Sequence, residues 1–139
     1  MNAPLAPVKL WSMTLPIRWG DMDARNHVNN AEYMRYFEEA RVSWSQARGL
    51  RNDSSSGFII AKASIDYHAP LDWPGQVESE IFTARIGNSS FALRQTLTAQ
   101  GSEHPAATAE FVVVWFDYGA GRAAPIPPAL RAVLEGQDP

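Results

Sequence analysis

The chain has 139 residues, 45% of them hydrophobic and 19% charged, which is the scale of one globular domain around one core. Its net charge of −3 excludes a basic surface that tracks nucleic-acid phosphates, so no nucleic-acid partner is expected. With no cysteine, disulfides, thiolate zinc sites and a cysteine nucleophile are all excluded.

Residues 1–8 hold two prolines and little pattern and read as a loose arm. They lack a long apolar run, and no later segment approaches the length of a membrane span, so the expected location is cytoplasmic. Leu10–Arg18 alternates as a strand does, and Pro16 places it at an edge or a bulge. Gly20 ends it. Gly20–Asn30 then packs two carboxylates, one imidazole and three carboxamides into a short loop.

A helix is predicted to begin at Asn29 or Asn30, because an Asn oxygen accepts an orphan N–H of the first turn. Asn29 and Glu32 have the spacing of a capping box. Tyr33, Phe37, Ala40, Trp44 and Ala47 form an apolar stripe at helical period, and Gly49 is the expected C-terminal cap. A helix of this span is roughly 28 Å long and needs a whole sheet to cover it.

Asn52–Gly57 has the composition of a linker. Strands follow at Phe58–His68, Val77–Ile86, Phe91–Ala99 and Ala107–Tyr118, with a tight turn at Gly87–Ser90. The run Phe111–Phe116 is apolar on both faces and should be covered twice. A short helix is expected between Pro125 and Gly136. One long helix on about five antiparallel strands is an α+β domain spanning residues 1–139. Its bare outer face predicts at least a homodimer.

The loop before the helix is the place for chemistry. Nucleophile elbows, phosphate-binding loops, dinucleotide fingerprints and paired metal-binding histidines are all missing from the sequence. Asp21, Asp23 and Glu32 fit the first, third and twelfth positions of a calcium loop. Arg25 and Asn26 spoil its fifth and sixth. Asp21, Asp23 and His27 remain a weak metal alternative, and no metal or other cofactor is expected.

The free N–H groups of a helix start polarise a carbonyl and stabilise an oxyanion. Asp23, seven residues before Asn30, can reach a carbonyl docked on the Asn30 N–H. It would attack directly or activate a water, with His27 orienting water or tuning the carboxylate. The structural alternatives are an Asx turn at Asp23, loop-amide bonding at Asp21 and plain capping at Asn29 and Asn30. Glu38, at the edge of the stripe, can line a pocket. Tyr33 and Tyr67 can contact a ligand or simply pack.

The segment Trp19–Arg41, WGDMDARNHVNNAEYMRYFEEAR, closely resembles the signature of hot-dog-fold acyl-CoA thioesterases of the 4-hydroxybenzoyl-CoA thioesterase-like family. Ile65–Leu71, IDYHAPL, is similar to that family's strand-to-turn passage. The resemblance implies a long helix wrapped by a curved sheet, and dimers, possible tetramers, made by joining sheets. It also implies hydrolysis of an acyl-CoA or acyl-carrier thioester between protomers. Asp23 takes the place of the catalytic carboxylate, Asn30 that of the amide that polarises the carbonyl, and His27 that of the motif histidine. Some relatives carry basic residues for the CoA phosphates in the turn that here reads Gly87-Asn88-Ser89. Arg85 and Arg94 flank it and are the expected substitutes. A hot-dog dehydratase is disfavoured, because its Y-x-x-G-D-x-N-P string is missing. An acyl-binding protein without catalysis is the remaining alternative.

Overall fold

Alternation with a period of two runs through every long strand and points one set of side chains toward a single helix. The computed structural model describes residues 8–50 and 55–137. Along the chain come β1 (Val8–Ile17), α1 (Asn30–Ala47), β2 (Ser56–Tyr67), β3 (Gly75–Ile86), β4 (Ser90–Ala99), β5 (Ala107–Asp117), β6 (Arg122–Ala123) and α2 (Pro128–Leu134). The predicted arm falls outside the described residues except for Val8, which already belongs to β1. The first part of the predicted linker is likewise outside, and Ser56 and Gly57 open β2.

All pairings are antiparallel, in the order β1-β3-β4-β5-β2, with β6 pairing the end of β5. The sixth strand, beyond the five expected, is a two-residue ladder formed as the chain turns back after Asp117. Sequence neighbours β2 and β3 do not pair. β2 pairs with β5 at one edge, and β3 lies between β1 and β4. The connection from Tyr67 to Gly75 crosses beneath the start of α1 instead of turning tightly. Pro16 lies on the opposite edge strand, β1, whose bulge falls at Lys9–Trp11 and not beside the proline.

The inward side chains of the sheet, among them Leu15, Val77, Ile81, Phe91, Leu97 and Phe111, enclose α1. Tyr33, Tyr36, Phe37, Ala40 and Trp44 are its buried face. Tyr36 joins this buried face, whereas Ala47, expected on it, is exposed. Phe37 meets Phe111 edge to face at 5.6 Å. α1 ends in a Schellman arrangement: Gly49 adopts φ +69, its N–H bonds the Gln46 carbonyl, and the Leu50 N–H bonds that of Ser45. α2 closes one end of the core with Leu130, Val133 and Leu134, and Thr83 donates to the Leu134 carbonyl at 2.8 Å. In β5, Phe111 and Val113 are buried, while Val112, Val114 and Phe116 on the outer face are only half-buried. Among the described residues, nothing completes the second cover expected there. Among the described residues, no helix is long and apolar enough to cross a membrane.

Candidate active site

The loop before α1 is held from below by a buried acid. A 3₁₀ turn over Trp19–Asp21 carries Asp21 into the protein. Its carboxylate accepts the Tyr36 hydroxyl at 2.6 Å and the Arg18 guanidinium at 3.1 Å, and its carbonyl accepts the Asn29 N–H at 2.9 Å. Burial alone pushes this carboxyl up, but the Tyr36 and Arg18 bonds outweigh it and leave it below the ordinary value. The same burial, with Asp21 as acceptor, pushes the Tyr36 phenol well above its usual range. Asp21 is thus structural, with side chains from β1's end and α1 as partners in addition to the loop amide expected.

Above it, Met22 and Val28 pair as an isolated antiparallel bridge. The Asp23 N–H bonds the His27 carbonyl, and the Asn26 N–H bonds the Asp23 carbonyl, both at 3.0 Å. Asn26 takes φ +65, a left-handed conformation that Asn tolerates. The tight hairpin presents Asp23 half-buried beside the helix start. One Asp23 oxygen accepts the Arg25 N–H at 2.9 Å, which is the Asx turn foreseen as an alternative. The other accepts the Asn29 amide at 3.2 Å.

Asn29 therefore faces two ways. Its oxygen caps the Ala31 N–H at 2.9 Å, while its nitrogen holds Asp23. The capping box is not formed: Glu32 turns to Arg35 at 3.5 Å, and only its backbone N–H reaches the Asn29 carbonyl. These bonds take the N–H groups of Ala31 and Glu32. Asn30 stands first in the helix, where geometry leaves the N–H pointing outward.

The connection after β2 forms the other wall. Tyr33 is buried, and its hydroxyl donates to the Ala69 carbonyl at 3.2 Å and accepts the Leu71 N–H at 3.0 Å. The Leu71 carbonyl accepts the Val28 N–H at 2.8 Å. Tyr33 thus anchors this strap. The strap sets Asp72 against His27, whose Nδ1 lies 2.7 Å from the carboxylate. Tyr67, exposed, donates to the Asn30 carbonyl at 3.1 Å and stands beside the helix start. Asp21, Asp23 and His27 each have separate partners, and among the described residues no group of three metal-ligating side chains converges.

The remaining candidates lie elsewhere. Glu38 is exposed and lines a cavity of about 500 Å³ beside the second half of α1, eight residues beyond Asn30. Arg85 and Arg94 are exposed on the outer face of the sheet, Arg94 opposite Glu110 of β5. Ile17 pairs with Gly75 at the loop end of β3, and Arg85 lies ten residues further along, roughly 33 Å away. Within one protomer neither arginine meets the Asp23 loop. Sequence reading missed Asp72 and Tyr36. Asp72 is a lone acid forty-five positions from His27, and Tyr36 reads from its place on the helix as a packing residue. The signal that could have found them was position: Tyr36 lies inside the family-like segment Trp19–Arg41, and Asp72 directly follows the segment ending at Leu71.

This architecture, a long helix wrapped by an antiparallel sheet, is that of the hot-dog thioester hydrolases. The chain belongs to the thioesterase-like superfamily, whose sequence profile matches residues 17–134. It is 28% identical over 134 residues to the long-chain acyl-CoA thioesterase FadM of Escherichia coli K12, covering 87% of this chain and 94% of that one. The solved PA2801 protein of Pseudomonas aeruginosa is 31% identical, with a TM-score of 0.86 over 91% of this chain and 98% of that one. The PA5185 protein of strain PAO1 is 27% identical, with a TM-score of 0.84 over 96% and 97%.

Proposed function

We propose that this enzyme hydrolyses acyl-CoA or acyl-carrier thioesters, with Asp23 as the nucleophile or as the base for water. The observation that carries the reading is the double role of Asn29. One side chain both caps α1 and grips Asp23, so the carboxylate and the helix start that would receive the thioester oxygen share one frame. A carbonyl resting on the Asn30 N–H is polarised by the helix end, and the charge formed on attack is met by the same dipole. If Asp23 attacks, an anhydride forms as the C–S bond breaks, and water then cleaves it. If water attacks, Asp23 takes its proton. Either way the sulfur leaves as a thiolate, which needs little acid help because thiol pKa values are near 8.5. His27, braced by Asp72, is assigned the orientation of that water.

A CoA thioester is favoured over an acyl-carrier one by the likeness to FadM. The long, exposed edge of β2 supports a homodimer built by joining two sheets there. Thiol release from a panel of acyl-CoAs, measured for the wild type, Asp23→Ala and Asp23→Asn, tests the assignment. Full activity in both variants overturns it.

A further inference from the structure

The cavity of about 500 Å³ beside α1 is walled by Val42, Trp44, Leu50, Phe58, Ile60 and Phe91, and two charged residues, Glu38 and Arg41, also line it. Arg41 is held rigidly. Its Nη1 donates at 2.9 Å to Oε1 of the fully buried Gln95, whose own amide donates to the Phe37 carbonyl at 3.0 Å. The guanidinium lies 4.1 Å from the centre of the Phe111 ring. A guanidinium has five N–H donors. Gln95 takes one, and among the described residues no carboxylate forms an ion pair with Arg41. Burial lowers its pKa to about 10, with the Glu38 charge opposing, so it remains a cation at neutral pH. A cation with spare donors in a mostly apolar cavity calls for an acceptor.

The helix sets the direction of that acceptor. Arg41 follows Asn30 by eleven residues, three turns and about 20°, so both lie on one face about 16 Å apart along the axis. Exposed Met34 and Glu38 lie on that face between them. β2 flanks the same path, with Tyr67 at the Asn30 end and Ile60 at the cavity. Three bonds of extended chain cover about 3.5 Å, so 16 Å corresponds to roughly fourteen bonds. The count falls somewhat because long side chains lean toward the helix N-terminus.

We propose that the cavity is the far end of the acyl site, and that Arg41 and Glu38 together select a long acyl chain bearing a hydroxyl group on its distal half. This rests on the thioesterase reading. Arg41 donates to the hydroxyl oxygen, and the Glu38 carboxylate accepts the hydroxyl proton. An unsubstituted chain strips water from both charges and returns nothing. A chain ending in a carboxylate meets Arg41 but also the like charge of Glu38.

The experiment compares kcat and KM for C16 acyl-CoAs that are unsubstituted, hydroxylated on the distal half, or terminated by a carboxylate. The enzymes are wild type, Arg41→Gln and Glu38→Gln. The wild type is expected to favour the hydroxylated chain roughly ten- to hundredfold in kcat/KM, the range for a hydrogen bond to a charged group. Arg41→Gln should erase that preference by raising KM for the hydroxylated chain and lowering it for the unsubstituted one, which no longer strips water from a cation. Glu38→Gln should reduce it and admit the carboxylate. Equal wild-type kcat/KM for plain and hydroxylated chains, or a preference that survives Arg41→Gln, overturns the inference. If no acyl-CoA is turned over, the thioesterase reading fails. Binding of hydroxylated and plain C16 fatty acids, followed by tryptophan fluorescence, then decides the cavity separately, and equal affinities overturn it.

Discussion

Two aspartates two residues apart have opposite assignments because their surroundings differ. Asp23 sits half-buried in a hairpin, bonded by one backbone amide and one carboxamide, with lone pairs to spare. Asp23→Asn should lower kcat by about 10²–10⁴ while changing stability by less than about 1 kcal/mol, checked by thiol-release kinetics and urea unfolding. Asp21 is buried against Tyr36 and Arg18, and its carboxyl lies below the ordinary value. A depressed acid stabilises the fold above its unfolded-state pKa of 3.8, and that contribution fades as pH falls through the lower folded value. Tyr36→Phe removes the shortest of these bonds and lets the carboxyl rise. It should cost about 1.5–3 kcal/mol at neutral pH and move the onset of acid unfolding to higher pH, followed by circular dichroism.

At the level of the elements, α1 is fixed at its start by one carboxamide, and that carboxamide separates stability from activity. Asn29→Ala should cost about 1 kcal/mol through the lost cap. Asn29→Asp keeps an oxygen for the Ala31 N–H but sets a second anion against Asp23. Its melting temperature should stay near that of the wild type while kcat falls at least tenfold. Much of this was legible in the chain. The stripe from Tyr33 to Trp44, the Asn29 cap, Gly49 and the strand bounds all rest on local periodicity and local backbone preference. What was not legible depends on contacts far apart in sequence. β2 pairs with β5 rather than β3, the pairing of His27 with Asp72 exists only after the strap has crossed α1, and Glu32 found Arg35 closer than its own cap. The Asp23 loop could be singled out by composition, yet its grip on Asn29 needed coordinates.

For the whole molecule, the two sides of the sheet are unequal. β2 presents Ile59, Ile60, Ala63 and Tyr67 exposed along its length. If a second copy joins there, each protomer brings the same residues to the junction. Ala63→Asp then places like charges near one another. It should weaken self-association at least tenfold by sedimentation velocity, with activity per protomer falling in parallel upon dilution. An unchanged sedimentation profile would mean that β2 is not the joining strand.

β1 ends the sheet on the other side, with a bulge at Lys9–Trp11, Lys9 paired to Glu80 at 2.6 Å, and Pro16, which has no amide hydrogen to offer. If β2 does join a second copy, a ladder stoppered at this other margin would add that single neighbour and have nothing left to recruit. Such a chain could then be concentrated without growing into fibres, and replacing Pro16 with a residue that restores the missing donor would remove part of that safeguard.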